Sequence, residues 1–435
     1  MKISIVSLGC SKNLVDSELI TGNLVKHGHE ISTESEADII VVNTCGFIGD
    51  AKRESIDTTL EMLEYKRSGK CKKLIVTGCL VERYREELQQ EIPEIDAFWG
   101  TGNLFDIHKL LDNEQLDYRV YKPGTLYDPD SPRVISTQKH FAYVKVSEGC
   151  SRTCSFCIIP KMRGVMKSRP VDSIYSEIKR LADQGVKEVN LIAQDMTSYG
   201  RDIGTDLNTM LGEVAKVENI EWIRIHYCYP WGMTDALMDT INREQKILPY
   251  IDMPIQHINN RILKLMDRKT PKSRILDILS RLRSSIDEVT LRSTFIVGFP
   301  GETEKEFGEL LEFINETKFE RAGAFIYSKE EDTGAYDLDN HIPEEIKEER
   351  YERFMETQSE VSLQNNKKLI GTVQKAIIDG IENGHPYARL RSQAPDVDGV
   401  TYLNGNISKS EIGKITDVKI TDADFYDLHA ELIKQ

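Results

Sequence analysis

The chain has 435 residues, 40% of them apolar, with 56 basic and 71 acidic side chains and a net charge of −15. That length fits two or three domains, and the acidic balance argues against a generally basic nucleic-acid binder and suits a basic protein partner. MKISIVSLGC reads at once as a strand, without a signal-peptide core, and no apolar run reaches membrane-helix length, so the sequence predicts a cytoplasmic protein in which structural disulfides are not expected.

Residues 1–122 carry a repeating α/β pattern. KISIVSLG is a strand, NLVDSELITGNLVKHG has helical spacing and ends at Gly28, and ADIIVVNTC is an almost wholly apolar strand, as a parallel sheet covered on both faces requires. A helix follows over Ala51–Arg67, then a strand in KKLIVTGC and a helix over Glu82–Gln90. AFWGTGNLFDIHKLLD completes the segment. Residues 123–136, PGTLYDPDSPRVIS, read as a linker, because prolines and turn formers break any periodicity.

Residues 137–365 alternate again. Strands are expected in FAYVKVSEG, EVNLIAQD, WIRIHYC, YIDMPIQH, TLRSTFIVGFP and RAGAFIYS, with helices such as VDSIYSEIKRLADQG between most of them. Six strands with intervening helices predict a parallel open sheet or a partial barrel. A long charged helix begins after Pro343. Residues 366–435 change to short strands with Gly and Asn turns, a small β-barrel or sandwich with nine basic and ten acidic residues.

Eight cysteines in a reducing compartment point to metal binding or catalysis. Three of them, Cys150, Cys154 and Cys157, fall in VKVSEGCSRTCSFCIIP, where a strand gives way to a loop. Clustered thiolates select zinc, copper or iron–sulfur. Structural zinc takes four ligands, and here no fourth Cys or His follows nearby. A [4Fe–4S] cluster held by three cysteines leaves one iron open to a small molecule. Cys10, Cys45 and Cys79 each stand at the carboxyl end of a predicted parallel strand, and such ends share one sheet edge where ligand sites form. Ordinary core cysteines would explain each residue but not the matched position. Two incomplete thiolate sets suggest two clusters with two tasks, whereas an electron-transfer protein would close both with four cysteines. Cys71, in a turn, reads as a bystander, and Cys228 as core or pocket wall.

The CxxxCxxC spacing with Phe156 before the last cysteine resembles the radical S-adenosylmethionine superfamily. The whole chain resembles the methylthiotransferase family, and within it the branch that modifies ribosomal protein S12. SLGCSKNLVDSE is similar to that branch's LGCPKNLVDSE, with Ser11 in place of proline, and LIAQDMTSYG, IVGFPGET and QAPDVDG also fit. The resemblance implies an N-terminal parallel-sheet cluster domain over 1–122, a partial (β/α)6 TIM-like radical barrel with a trailing helix over 137–365, and a small antiparallel TRAM β-barrel over 366–435 for substrate recognition.

The resemblance also implies two [4Fe–4S] clusters, one on Cys10, Cys45 and Cys79 and a radical one on Cys150, Cys154 and Cys157. S-adenosylmethionine would serve as radical source and methyl donor. Gln194, Asp195 and the turn Gly298, Pro300, Gly301 and Glu302 are candidate cofactor contacts, as is Phe156. A strand-to-helix turn specified sterically is the plain alternative for the glycine–proline turn. Arg163 and Arg169 are candidates to pair a carboxylate of cofactor or substrate, with solvated surface arginines as the alternative.

The implied reaction places a methylthio group on the β-carbon of an aspartate of S12, free or within the small ribosomal subunit, giving 3-methylthioaspartate. It needs an external electron donor, a sulfur donor and no membrane. A transfer-RNA methylthiotransferase acting on a modified adenosine is the alternative, with YARLRSQ as a candidate basic strip. A non-catalytic iron–sulfur scaffold is a third reading.

Overall fold

A computed structural model describes residues 1–102, 104–112, 123–405 and 407–433. The expectations for residues 113–122 lie outside the described residues. The first five strands are β1 (Lys2–Ser7), β2 (Glu30–Ile31), β3 (Ile39–Thr44), β4 (Lys73–Gly78) and β5 (Ala97–Trp99), all parallel, in the order β2-β1-β3-β4-β5. β3, IIVVNT, is buried at every position, and each fully buried Ile or Val contributes about 1.5–3 kcal/mol. Helices α1 (Ser11–Lys26), α2 (Gly49–Arg67), α3 (Cys79–Glu91) and the short α4 (His108–Asp112) cover the sheet. The strand order turns back between β1 and β3. In open α/β sheets the crevice at such a reversal, outside the carboxyl ends, is where ligands bind.

The second sheet answers the question that periodicity left open. β6 (Phe141–Lys145), β9 (Glu188–Ile192), β10 (Trp222–Ile225), β11 (Ile247–Asp252), β12 (Thr290–Val297) and β13 (Arg321–Ile326) lie side by side in chain order, all parallel. An order without reversal is that of a TIM-type barrel left unclosed, not of a doubly wound sheet. A two-stranded ribbon, β7 (Ser147–Glu148) with β8 (Lys167–Ser168), frames the cysteine loop. Helices α5 (Ile159–Arg163), α6 (Val171–Asp183), α7 (Leu207–Val214), α8 (Asp235–Arg243), α9 (Asn260–Leu265), α10 (Lys272–Ser285) and α11 (Glu304–Thr317) connect the strands, and α12 (Glu344–Lys367) follows Pro343.

The last five strands, β14 (Val373–Glu382), β15 (His385–Leu390), β16 (Thr401–Asn404), β17 (Ile415–Ala423) and β18 (Leu428–Leu432), close into a barrel ordered β14-β15-β16-β18-β17. It is not purely antiparallel as expected. β17 returns to pair with β14, which leaves β18 to close the ring beside β16, and that pair runs parallel. The barrel docks through a buried ion pair, Arg389 Nη2 to Glu188 Oε2 at 2.7 Å, and Glu188 also accepts from Arg224 Nε of its own sheet at 3.1 Å. Arg224 also donates to the carbonyls of Arg391 and Gln393 at 2.9 and 3.0 Å.

Residues 123–136 hold neither helix nor strand; Tyr127 is buried, and Arg133 pairs with Glu18 at 2.5 Å and Glu177 at 2.6 Å, strapping α1 to α6. A Cβ on Gly22 of α1 would lie 2.3 Å from the Pro132 carbonyl oxygen. Helix α1 is therefore covered on several sides, and its Lys12, Asn13, Asp16 and Glu18 are buried along with Val15 and Leu19. Among the described residues no helix is long and apolar enough to cross a membrane.

Candidate functional site: two cysteine trios at one interface

Cys10 and Cys45 follow β1 and β3, at the reversal of the first sheet, and Cys79 follows β4 as the first residue of α3. Glycine turns bring these loops together. Gly9 has φ +86°, and a Cβ there would sit 2.7 Å from Cys45 Cβ and 3.1 Å from Cys45 Sγ. Gly78 has φ +97°, and a Cβ there would meet the Thr44 carbonyl at 2.5 Å. Asn13 Nδ2 ties the loops further, donating to the carbonyls of Leu8 and Thr44 at 3.0 Å each. Burial raises the Cys45 thiol and pushes Cys79 up to about 12, and each lies within electrostatic reach of the neighbouring cysteines of the trio.

Cys150, Cys154 and Cys157 form the second group. The Cys157 N–H donates to the Cys154 carbonyl at 3.0 Å, and burial pushes Cys150 up to about 11 and Cys157 up to about 12. Phe156 is half-buried against the cluster of Ile262, Met266, Phe299 and Tyr327, which anchors the loop. Arg268 Nη1 lies 3.6 Å from Cys154 Sγ. Arg152 Nε donates to Asp195 Oδ2 at 2.7 Å, and the guanidinium carbons of Arg152 and Arg268 both lie over the Tyr229 ring, 4.0 and 4.1 Å from its centroid.

The two groups meet. Cys79 packs on Ile158 and Met162, which directly follow the second trio. Between them lies a buried quartet of Asp16, Lys145, Glu148 and Arg163. Arg163 pairs with Asp16 at 2.7 Å and approaches Glu148 at 3.6 Å, while Lys145 bonds Asp16 and pairs with Glu148 at 2.8 Å. Burial alone would push the Glu148 carboxyl up, but Lys145 and Arg163 hold it below the usual carboxylate range. Arg163 Nη2 also bonds Asn13 Oδ1, and Nε donates to Cys79 Sγ at 3.2 Å. Gln194 Nε2 donates to Glu148 Oε1 at 2.9 Å.

The remaining candidates are dispersed. Arg163 and Arg169 are both buried, so neither is a solvated surface arginine. Arg169 serves the scaffold, bonded to Tyr127 at 2.6 Å and Ser173 at 3.0 Å and paired with Glu177 at 2.5 Å. In the turn after β12, Glu302 pairs with Arg350 of α12 at 2.7 Å, and Lys347 of the same helix packs against Gly298, where a Cβ would lie 2.4 Å from its Cγ. Pro300 is buried and Gly301 has φ +76°. Cys71 and Cys228 are buried in the cores of the first and second sheets. Sequence reading missed Asp16, Lys145, Glu148, Arg152 and Arg268. No local signal marks them: Asp16 reads as one more polar residue of a helix, and its partners Lys145 and Arg163 lie more than a hundred residues away.

The donor chemistry fits iron–sulfur clusters. Each trio consists of soft sulfur ligands only, carried by the segments that follow the strands. Beside the second trio, Ser147 Oγ and Gln194 Oε1 are buried without a hydrogen-bond partner, as polar atoms that await a ligand are.

An unclosed barrel with a three-cysteine loop at its strand ends defines a radical S-adenosylmethionine protein. Residues 144–314 match the Radical SAM superfamily, 2–100 the Uncharacterized protein family UPF0004 and 370–433 the TRAM domain. The chain belongs to the ribosomal protein uS12 methylthiotransferase family. It is 45% identical to Ribosomal protein uS12 methylthiotransferase RimO of Geobacter sulfurreducens, across 99% of this chain and 98% of that protein. It is 46% identical to RimO of Clostridioides difficile across 100% and 99%. Among solved structures, the radical S-adenosylmethionine methyltransferase TsrM from Kitasatospora setae, with cobalamin and a [4Fe-4S] cluster bound, superposes with a TM-score of 0.57 over 86% of this chain and 80% of that one. At 12% identity that likeness speaks for the fold alone.

Proposed function

We propose that this chain adds a methylthio group to the β-carbon of an aspartate of ribosomal protein S12, giving 3-methylthioaspartate. The observation that carries this is the pairing of two three-cysteine sites across one interface, joined by Arg163. Cys10, Cys45 and Cys79 would hold one [4Fe–4S] cluster, and Cys150, Cys154 and Cys157 the other. When bound, the clusters, S-adenosylmethionine and a sulfur donor supply the radical, the sulfur and the methyl group, with an external source of electrons.

The chain's own residues give geometry and shelter. Asn13 and Gly9 fix the first trio. Ser155 holds the second loop by donating to the Leu265 carbonyl at 2.7 Å. Ile158 and Met162 keep water from the contact with Cys79. Gln194 and Asp195, just past the carboxyl end of β9, would orient polar groups of the cofactor, and the turn Gly298–Glu302 would shape the neighbouring strand end.

The TRAM barrel favours a protein substrate over RNA. Arg389, the centre of the expected basic strip, is buried and committed to Asp379 at 2.7 Å and to Glu188. The test is anaerobic reconstitution followed by reductant, S-adenosylmethionine, sulfide and either S12 or transfer RNA. Mass gain of a methylthio group on the S12 aspartate is expected. Gain on RNA alone would overturn the substrate, and absence of S-adenosylmethionine cleavage in a two-cluster preparation would overturn the enzyme.

A further inference from the structure

Lys12 is the second residue of α1, two positions after Cys10, and only 8% of it is exposed. Among the described residues its ammonium makes neither a hydrogen bond nor an ion pair. It lies on the face of Tyr227, 3.3 Å from the ring centroid. The other buried cations of this interface are answered by the chain's own acids: Lys145 by Asp16 and Glu148, Arg163 by Asp16, Arg133 by Glu18 and Glu177. The ammonium gains a cation–π contact from the Tyr227 ring, and no acid among the described residues supplies it with a counter-charge.

Its position says what the counter-charge belongs to. Tyr227 stands past the end of β10, at the carboxyl edge of the second sheet, with φ +62°. Its carbonyl accepts from the Met196 N–H at 3.1 Å, and the neighbouring Asp195 holds Arg152 of the Cys150 loop. Lys12 thus reaches from the Cys10 trio to the strand ends beside the Cys150 trio. An aspartate presented here has its carboxylate one bond from the reacting β-carbon, so a cation at this spot fixes that carbon.

We propose that the Lys12 ammonium is the receptor for the side-chain carboxylate of the acceptor aspartate. This rests on the S12 reading above. The carboxylate of S-adenosylmethionine shares the chemistry, and the experiment separates the two.

Holoenzyme reconstituted with both clusters, without reductant, is titrated into a fluorescent S12 loop peptide carrying either Asp or Asn at the acceptor position. S-adenosylmethionine binding is measured in parallel. Wild type is expected to prefer the Asp peptide by about 30-fold or more, the lower end for removing one partner of a buried charge pair. Lys12→Met is expected to lose that preference and Lys12→Arg to keep it. S-adenosylmethionine affinity, melting temperature and both cluster EPR signals stay as in wild type. Equal binding of the two peptides by wild type overturns the inference. So does a Lys12→Met protein that keeps the Asp preference or loses S-adenosylmethionine affinity instead. If wild type binds neither peptide, the S12 reading fails and the inference falls with it.

Discussion

Arg163 Nε donates to Cys79 Sγ at 3.2 Å, so the residue that ends α5, just beyond the Cys150 loop, touches a sulfur of the other trio. Hydrogen bonds to ligating sulfurs favour the reduced state of a cluster. Arg163→Met is therefore expected to shift the midpoint of the N-terminal cluster to more negative potential and leave the radical cluster's unchanged, as read by EPR-monitored titration. The same change leaves Asp16 and Glu148 with Lys145 alone, and removing one partner from a buried ionic network costs about 3–5 kcal/mol. A midpoint that does not move would mean that the loaded protein lacks this bond.

The two trios should separate by function. Replacing Cys10, Cys45 or Cys79 with Ala is expected to remove half of the reconstituted iron and abolish methylthio transfer while S-adenosylmethionine is still cleaved. Replacing Cys150, Cys154 or Cys157 is expected to remove the other half and the cleavage with it. Iron and sulfide analysis beside product mass decides this, and equivalent phenotypes from both sets would contradict a division of labour.

Docking of the TRAM barrel should depend on pH in a defined direction. Glu188 is buried, which alone would raise its carboxyl, but Arg389 and Arg224 hold it below its ordinary value of 4.5. A depressed folded value contributes stability that is present above the unfolded value and lost as pH falls through the folded one. Melting temperature is expected to hold between pH 7 and 5 and to fall below 4.5. Glu188→Gln leaves the buried Arg224 without a carboxylate and Arg389 with Asp379 alone, so it should cost about 3–5 kcal/mol at pH 7 and flatten the acid limb. Thermal melts across pH would show whether the limb persists without Glu188.

A latch holds the N-terminal domain over the barrel end. Glu330, after β13, pairs with Lys52 of α2 and Arg83 of α3 at 2.8 Å each, and Tyr84 donates to Glu331 at 2.8 Å. The same segment reaches the Cys150 loop, where the Ala335 N–H donates to the Ser155 carbonyl at 2.7 Å. Glu330→Ala should loosen one trio relative to the other without disturbing either. Methylthio transfer per S-adenosylmethionine cleaved is expected to fall on the order of 10²-fold, the cost of a misplacement of about 1 Å. Unchanged coupling, measured as product per 5′-deoxyadenosine, would make the latch dispensable.

The cysteines were legible because each follows an apolar strand or sits in a tight cluster, and strand ends share an edge by geometry. The six barrel strands were legible for the same reason, as short β-branched runs between helices. Asp16 and Glu148 were not. A charged residue on an amphipathic helix reads as solvated unless something covers it, and what covers Asp16 is a strand more than a hundred residues away. Arg389 misled in the same way: a basic residue in YARLRSQ looks like surface until Glu188 and Asp379 are placed beside it. The prolines of 123–136 signal broken periodicity but not that Arg133 lies against α1 and α6. Local pattern reports the backbone, while pairing across domains is a property of the fold.

The approach of the first two cysteine loops gives a last test. A Cβ at Gly9 meets both the Cβ and the sulfur of Cys45, and the φ of +86° strains any L-residue there. Gly9→Ala should push Cys45 away from Cys10 and cost about 1–3 kcal/mol through overpacking and strain. Because Cys150, Cys154 and Cys157 sit on a different sheet, their cluster should assemble normally. The expected phenotype is loss of the N-terminal cluster's EPR signal with retained S-adenosylmethionine cleavage, as for the Cys45→Ala protein but with all six sulfurs present. Full iron content in Gly9→Ala would show that the loop can yield, and that the close contact is not what sets the spacing of the trio.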